Sequence, residues 1–139
     1  MSIMLAPRPF EQSLSVRESA TIWIVDDDED VRLALQTFLR SAGCDVRAFD
    51  GAEAFLASLQ DSAPDCLITD LHMPGLDGVA LQEELNRLGR TFPVVVLTAF
   101  PTVEAEKRSA TLGASAFLTK PVDPEQLLTL VRTKLESRR

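Results

Sequence analysis

The sequence predicts an α/β fold, a five-stranded parallel sheet with helices on both faces. Short apolar runs alternate along the chain with segments whose apolar residues recur at helical spacing, the pattern of β-α units. One run, Pro93–Leu97 (PVVVL), is apolar throughout, as a strand buried on both faces must be. Another, Asp45–Phe49 (DVRAF), alternates as a partly exposed edge strand does. A doubly wound order 2-1-3-4-5 fits, with PVVVL central and DVRAF at an edge.

Residues 1–19 carry no sustained period and read as a flexible extension; residues 20–139 read as one domain. Thr21–Val25 (TIWIV) is the first strand and ends abruptly in acid. In Asp30–Ala42, Val31, Ala34, Leu35, Phe38 and Leu39 make one helical face, and Gly43 is placed to end it. DVRAF follows, then Ala52, Phe55, Leu56 and Leu59 at helical spacing. Cys66–Thr69 (CLIT) is a third strand, and Pro74-Gly75 and Asp77-Gly78 punctuate the loop after it. Leu81, Leu85 and Leu88 mark a third helix before PVVVL. Thr102–Leu112 is helix-permissive but weakly amphipathic, offering only Val103, Ala105, Ala110 and Leu112, so it is the element expected to move most readily. Ala116–Leu118 is a short last strand, and Asp123–Glu136 a last helix with Leu127, Leu128, Val131 and Leu135 inward.

Composition narrows the function. Of 139 residues, 45% are hydrophobic and 25% charged, an ordinary globular mix. A net charge of −7 argues against direct contact with nucleic acid or an anionic membrane, both of which need clustered Lys and Arg. No apolar stretch approaches a membrane span, and the start, broken by Pro7, Arg8 and Pro9, does not resemble a signal peptide. Cys44 and Cys66 have neither zinc spacing nor the number for a disulfide framework, and the expected compartment is the reducing cytoplasm.

In open parallel sheets, function gathers at the C-terminal strand ends. Here those ends carry Asp26 and Asp27 (WIVDDDED), Asp70 (LITDLHMPGLDG), Thr98 (VVLTAF) and Lys120 (AFLTKPVD). Three carboxylates in one crevice repel, which raises at least one pKa unless a cation intervenes. Mg²⁺ suits such a set, because it prefers a few carboxylates, carbonyls and waters. With the acids screened, Lys120 and Thr98 can hold phosphoryl oxygens while Asp70 supplies the nucleophile, a known form of covalent catalysis.

On VDDDEDVR, TDLHMPGLDG, VVLTA and LTKP, in that order and spacing, the chain from about Thr21 onward resembles a response-regulator receiver domain of two-component signalling, CheY-like, with the flavodoxin-like sheet order. The segments AEAFLASL and AFLTKPVD look most similar to receivers of the FixJ/NarL type, which precede DNA-binding domains. The resemblance implies Asp70 as phosphoacceptor, Asp27 as a direct Mg²⁺ ligand, Asp26 as a ligand through water, and the backbone carbonyl of His72 completing the metal shell. It implies that Thr98 and Lys120 hold the phosphoryl group, that Thr98 and Phe117 form the switch, and that Lys120-Pro121 is cis. Phe117 lacks the hydroxyl that a tyrosine would offer there. A sensor histidine kinase is the implied donor, and the fourth helix, fifth strand and fifth helix form the implied homodimer or docking face. Such a domain catalyses only its own phosphorylation and dephosphorylation.

Taken singly these residues have plainer readings. Asp28, Glu29 and Asp30 suit a helix start, Asp77 a turn, His72 a solvent-facing loop, and Trp23 and Cys66 the core. Two other functions compete. A small phosphohydrolase of the haloacid-dehalogenase type also uses a strand-end Asp, a Thr, a Lys and Mg²⁺, but has a second acid where His72 stands. A docking module that is never phosphorylated has no need of the acid cluster. The chain reads either as a stand-alone receiver or as the receiver part of a longer regulator.

Overall fold

The computed structural model describes residues 19–137. The expected flexible extension, apart from Ser19, lies outside the described residues. The strands are Thr21–Val25 (β1), Asp45–Phe49 (β2), Cys66–Asp70 (β3), Val94–Thr98 (β4) and Ala116–Thr119 (β5). The helices are Glu29–Ser41 (α1), Ala52–Ser58 (α2), Gly78–Arg87 (α3), Val103–Thr111 (α4) and Pro124–Ser137 (α5). All strand pairs are parallel and the order is β2-β1-β3-β4-β5, as the alternation predicts.

Period-two alternation sorts the strand side chains onto two faces. On one, Ile22, Ile24, Val46, Ile68, Val95 and Leu97 pack under Leu35 and Leu39 of α1 and Leu127, Leu128 and Val131 of α5. On the other, Trp23, Val25, Leu67, Val94 and Val96 pack under Phe55 of α2 and Leu81 and Leu85 of α3. There Trp23, Phe49 and Phe55 form an aromatic trio with ring centroids 5.3–5.8 Å apart. Each such fully buried ring contributes about 1.5–3 kcal/mol by burial, and each pair about 0.5–1.5 kcal/mol more. Arg47 on the edge strand lays its guanidinium over two of these rings, 4.8 Å from Trp23 and 5.2 Å from Phe49.

Helix ends follow local chemistry. Asp28 caps α1 by accepting from the N–H groups of Asp30 and Val31, and Asp77 caps α3 by accepting from Ala80. Gly43 adopts φ +97° beyond the end of α1, a conformation that favours glycine. Two expectations are corrected. Ala34 is exposed, because α1 buries only the narrow stripe of Leu35 and Leu39. Leu88 is 44% exposed, because α3 ends at Arg87 and Leu88 is its C-cap, beyond the buried stripe of Leu81 and Leu85. The weakly amphipathic segment behaves as expected: α4 buries little, its one buried side chain being Ser109, and Val103 is 63% exposed.

Polar contacts from α3 hold α4 instead. Gln82 Nε2 donates to the Ser109 carbonyl (3.1 Å), Asn86 Nδ2 donates to the Leu112 carbonyl (2.9 Å), and Arg108 pairs with Glu83. No helix among the described residues is long and apolar enough to cross a membrane.

Candidate functional site

Parallel register brings the C-terminal ends of β1, β3, β4 and β5 to one edge of the sheet, with Val25 beside Thr69, Asp70 beside Leu97 and Thr98 beside Thr119. The chemical groups expected at those ends therefore meet. One oxygen from each of Asp26, Asp27 and Asp70 lies within 4.8 Å of the others. Asp26 is 1% exposed and Asp70 7%, whereas Asp27 faces solvent. Lys120 reaches across the sheet, its Nζ donating to Asp26 Oδ2 at 2.8 Å and lying 3.2 Å from Asp70 Oδ1.

Each group is held by its neighbours. Asp26 N–H donates to the Phe49 carbonyl, and its carboxylate accepts from Asp28 N–H at 2.9 Å. Asp70 Oδ1 accepts from the N–H of Leu71 at 2.9 Å. The fully buried Thr98 accepts through Oγ1 from the N–H of Phe100 at 3.0 Å, and its carbonyl accepts from Lys120 N–H. The Lys120-Pro121 bond is cis, as the resemblance implies.

The electrostatics follow from this packing. Burial, reinforced by the Asp26 charge, raises the pKa of Asp70 above the ordinary carboxylate value, against the pull of Lys120 and the Leu71 N–H. For Lys120, burial favours the neutral amine, but the contacts with Asp26 and Asp70 outweigh it and the net shift is upward. The donor set is made of hard oxygens, two buried and one open to water. That suits a small divalent cation that keeps several waters, and an acidic pocket of this kind could bind one.

The remaining predicted residues lie around the cluster. His72 is exposed beyond β3, its ring edge-to-face with Phe100 at 6.2 Å; Phe100 itself is 72% exposed. Phe117, level with Val96 in the sheet, is half-buried against the core under α2 and α3.

Three supporting roles escaped the sequence reading, which took Gly78 only as loop punctuation. Arg32 Nη1 donates to the Asp26 carbonyl at 2.7 Å. Glu53 accepts from Leu76 N–H in the loop after β3. Gly78 lies so close to the end of β3 that a Cβ there would stand 2.6 Å from the Asp70 carbonyl. Of these, only Arg32 left a signal, a cation in the first turn of a helix, where the macrodipole disfavours it.

Residues 22–132 match the family model described as the response regulator receiver domain. The response regulator protein TmoT of Ectopseudomonas mendocina is 36% identical over 119 residues, covering 86% of this chain and 54% of TmoT. The DNA-binding transcriptional regulator NtrC of Salmonella typhimurium is 34% identical over 110 residues, 79% of this chain and 24% of NtrC. The chain thus spans about half the length of the first relative and a quarter of the second. Among solved structures, FixJ-N superimposes with a TM-score of 0.77 at 34% identity, covering 84% of this chain and 94% of that one. A CheY-like receiver domain protein from Methanospirillum hungatei gives 0.82 at 27% identity, covering 86% and 95%.

Proposed function

The chain belongs to the response-regulator receiver family of two-component signalling, and on that premise we propose that it is a switch driven by phosphorylation of Asp70. The observation that carries this reading is Lys120 lying between the buried carboxylates of Asp26 and Asp70 beside the solvent-facing Asp27. Asp26, Asp27 and Asp70, with the carbonyl of His72, would hold Mg²⁺. When bound, that ion screens the acids from an incoming phosphoryl dianion.

An Asp70 oxygen attacks phosphorus, and the bond from phosphorus to the donor breaks with its electron pair leaving on the donor. The donor is a phosphohistidine of a sensor histidine kinase or, in vitro, an acyl phosphate. Lys120 pairs with one phosphoryl oxygen and the Thr98 hydroxyl donates to another. Thr98 then gives up the Phe100 N–H, which couples the site to α4, while Phe117 follows by burial alone. The readout face is α4, β5 and α5, used for docking or a homodimer. The acidic chain acts in the cytoplasm by protein contact, without binding nucleic acid itself. It turns over no substrate beyond its own phosphoryl group. The haloacid-dehalogenase reading finds no support among the relatives, which are regulators.

Intact mass after incubation with acetyl phosphate and Mg²⁺ tests the proposal. One added phosphoryl group, absent in Asp70→Asn and in EDTA, is the expected result. A folded protein that gains none and does not consume the donor would refute it in favour of a docking module.

A further inference from the structure

Arg32 stands where helix electrostatics disfavours a cation, in the first turn of α1 behind the Asp28 cap and beside Glu29 and Asp30. Its guanidinium is turned back out of the helix. Nη1 donates to the carbonyl of Asp26 at 2.7 Å, a short charge-assisted bond in a half-buried setting. That carbonyl belongs to the peptide group joining Asp26 to Asp27. A peptide group is planar, so holding its oxygen restrains both the ψ of Asp26 and the φ of Asp27. The N–H of Asp26 is held separately by Phe49, and its carboxylate by the N–H of Asp28. Lys120 holds the other Asp26 carboxylate oxygen, and the Asp28 bond closes over Asp27; to these Arg32 adds the direct hold on the peptide that relates the two adjacent carboxylates.

We propose that Arg32 is a positioning residue for cation binding: by pinning the Asp26–Asp27 peptide it holds these two acids in the relative orientation at which they and Asp70 converge. This rests on the reading that the three acids bind Mg²⁺. Two physical effects of Arg32 have opposite signs, which makes the proposal decidable. As a cation near a divalent ion, it opposes binding, so its removal should tighten Mg²⁺. As a restraint on the ligands, it favours binding, so its removal should weaken Mg²⁺.

The test is calorimetric titration of the full chain with Mg²⁺ alone, without phosphodonor, comparing wild type, Arg32→Met, Arg32→Lys and Arg32→Gln, with Asp27→Asn as control. Supports of metal ligands typically change affinity by about 10–100-fold, and Arg32→Met is expected to weaken Mg²⁺ by about 10-fold or more. Arg32→Lys, which keeps a charged donor, should recover part of that loss, and Arg32→Gln less. Phosphorylation by acetyl phosphate should show a raised half-saturating Mg²⁺ concentration with an unchanged rate at saturating Mg²⁺.

Equal or tighter Mg²⁺ binding by Arg32→Met overturns the proposal. If that variant fails to fold by far-ultraviolet circular dichroism, the Lys and Gln variants decide, and equal affinity in both overturns it. Failure of Mg²⁺ to bind wild type, or full binding by Asp27→Asn, overturns the metal reading itself and is distinguishable from failure of Arg32.

Discussion

Replacing Lys120 by Met removes a cation that contacts both buried acids at the centre of the site, the one that does so among the described residues. The ammonium lies 2.8 Å from Asp26 and 3.2 Å from Asp70, and the Lys120 side chain is only 17% exposed. At an effective dielectric of about 20, each contact carries about 5–6 kcal/mol of bare attraction. Desolvation of the ammonium offsets much of this, and removing one partner of a buried pair costs about 3–5 kcal/mol. The residual exposure of Lys120 favours the lower end, so Lys120→Met should lose about 3 kcal/mol, or about 10 °C in Tm for a chain of this size.

The assay is urea unfolding near neutral pH in EDTA, read from the emission of the buried Trp23. Two dependences identify the cause. A divalent cation replaces the missing charge, so the variant should bind Mg²⁺ more tightly than wild type, and Mg²⁺ at about a hundred times the variant's Kd should narrow the deficit by up to about 2.7 kcal/mol, less whatever wild type gains at that concentration. Protonating Asp70 removes the repulsion, so the deficit should shrink as pH falls toward the ordinary carboxylate range. The Lys120 pKa is raised in the fold, so its contribution is complete below its ordinary value of 10.5. That contribution is lost only as pH rises through the higher folded value. A variant as stable as wild type, or a deficit indifferent to both Mg²⁺ and pH, would refute this account.

Three further outcomes are expected. Asp70→Asn should be more stable than wild type at pH 7 without divalent ions, because the fold disfavours the ionised form; urea midpoints should converge as pH falls to the ordinary carboxylate value of 3.8. Gly78→Ala should cost about 1–3 kcal/mol by thermal unfolding and slow phosphorylation by acetyl phosphate, since its Cβ would press on the Asp70 carbonyl from 2.6 Å. Phe100→Gln should shorten the phosphoryl lifetime several-fold in a mass-spectrometric decay, because Phe100, beside His72 and stiffened by Pro101, has no polar group to position water; an unchanged decay would remove Phe100 from the mechanism.

Much of the architecture was legible because its signals are local and periodic. PVVVL could only be a strand with two covered faces, and DVRAF only one with a single covered face. The acidic run divided as its chemistry suggested: Asp28 caps a helix while Asp26 and Asp27 turn to the crevice. The amphipathic reading was weaker for α4. Its few apolar residues gave no strong face, and the structure buries only Ser109 there, while Gln82 and Asn86 of α3 hold the helix through the backbone carbonyls of Ser109 and Leu112 rather than through an apolar wall. Sequence spacing records which side chains share a face, and it is silent on what the opposing element presents.

The alternation of elements, the composition of the strand ends and hence the identity of the acids, hydroxyl and ammonium that could meet are all properties of local sequence. How they meet depends on packing across the sheet. Lys120 reaches Asp26 across 94 positions of chain. Gly78 is required by a backbone approach that no local pattern reveals, and Arg32 serves a carbonyl rather than a carboxylate. Local periodicity is set by bonds along the chain, whereas these contacts depend on distances across the sheet. Those distances exist only once the strands have paired.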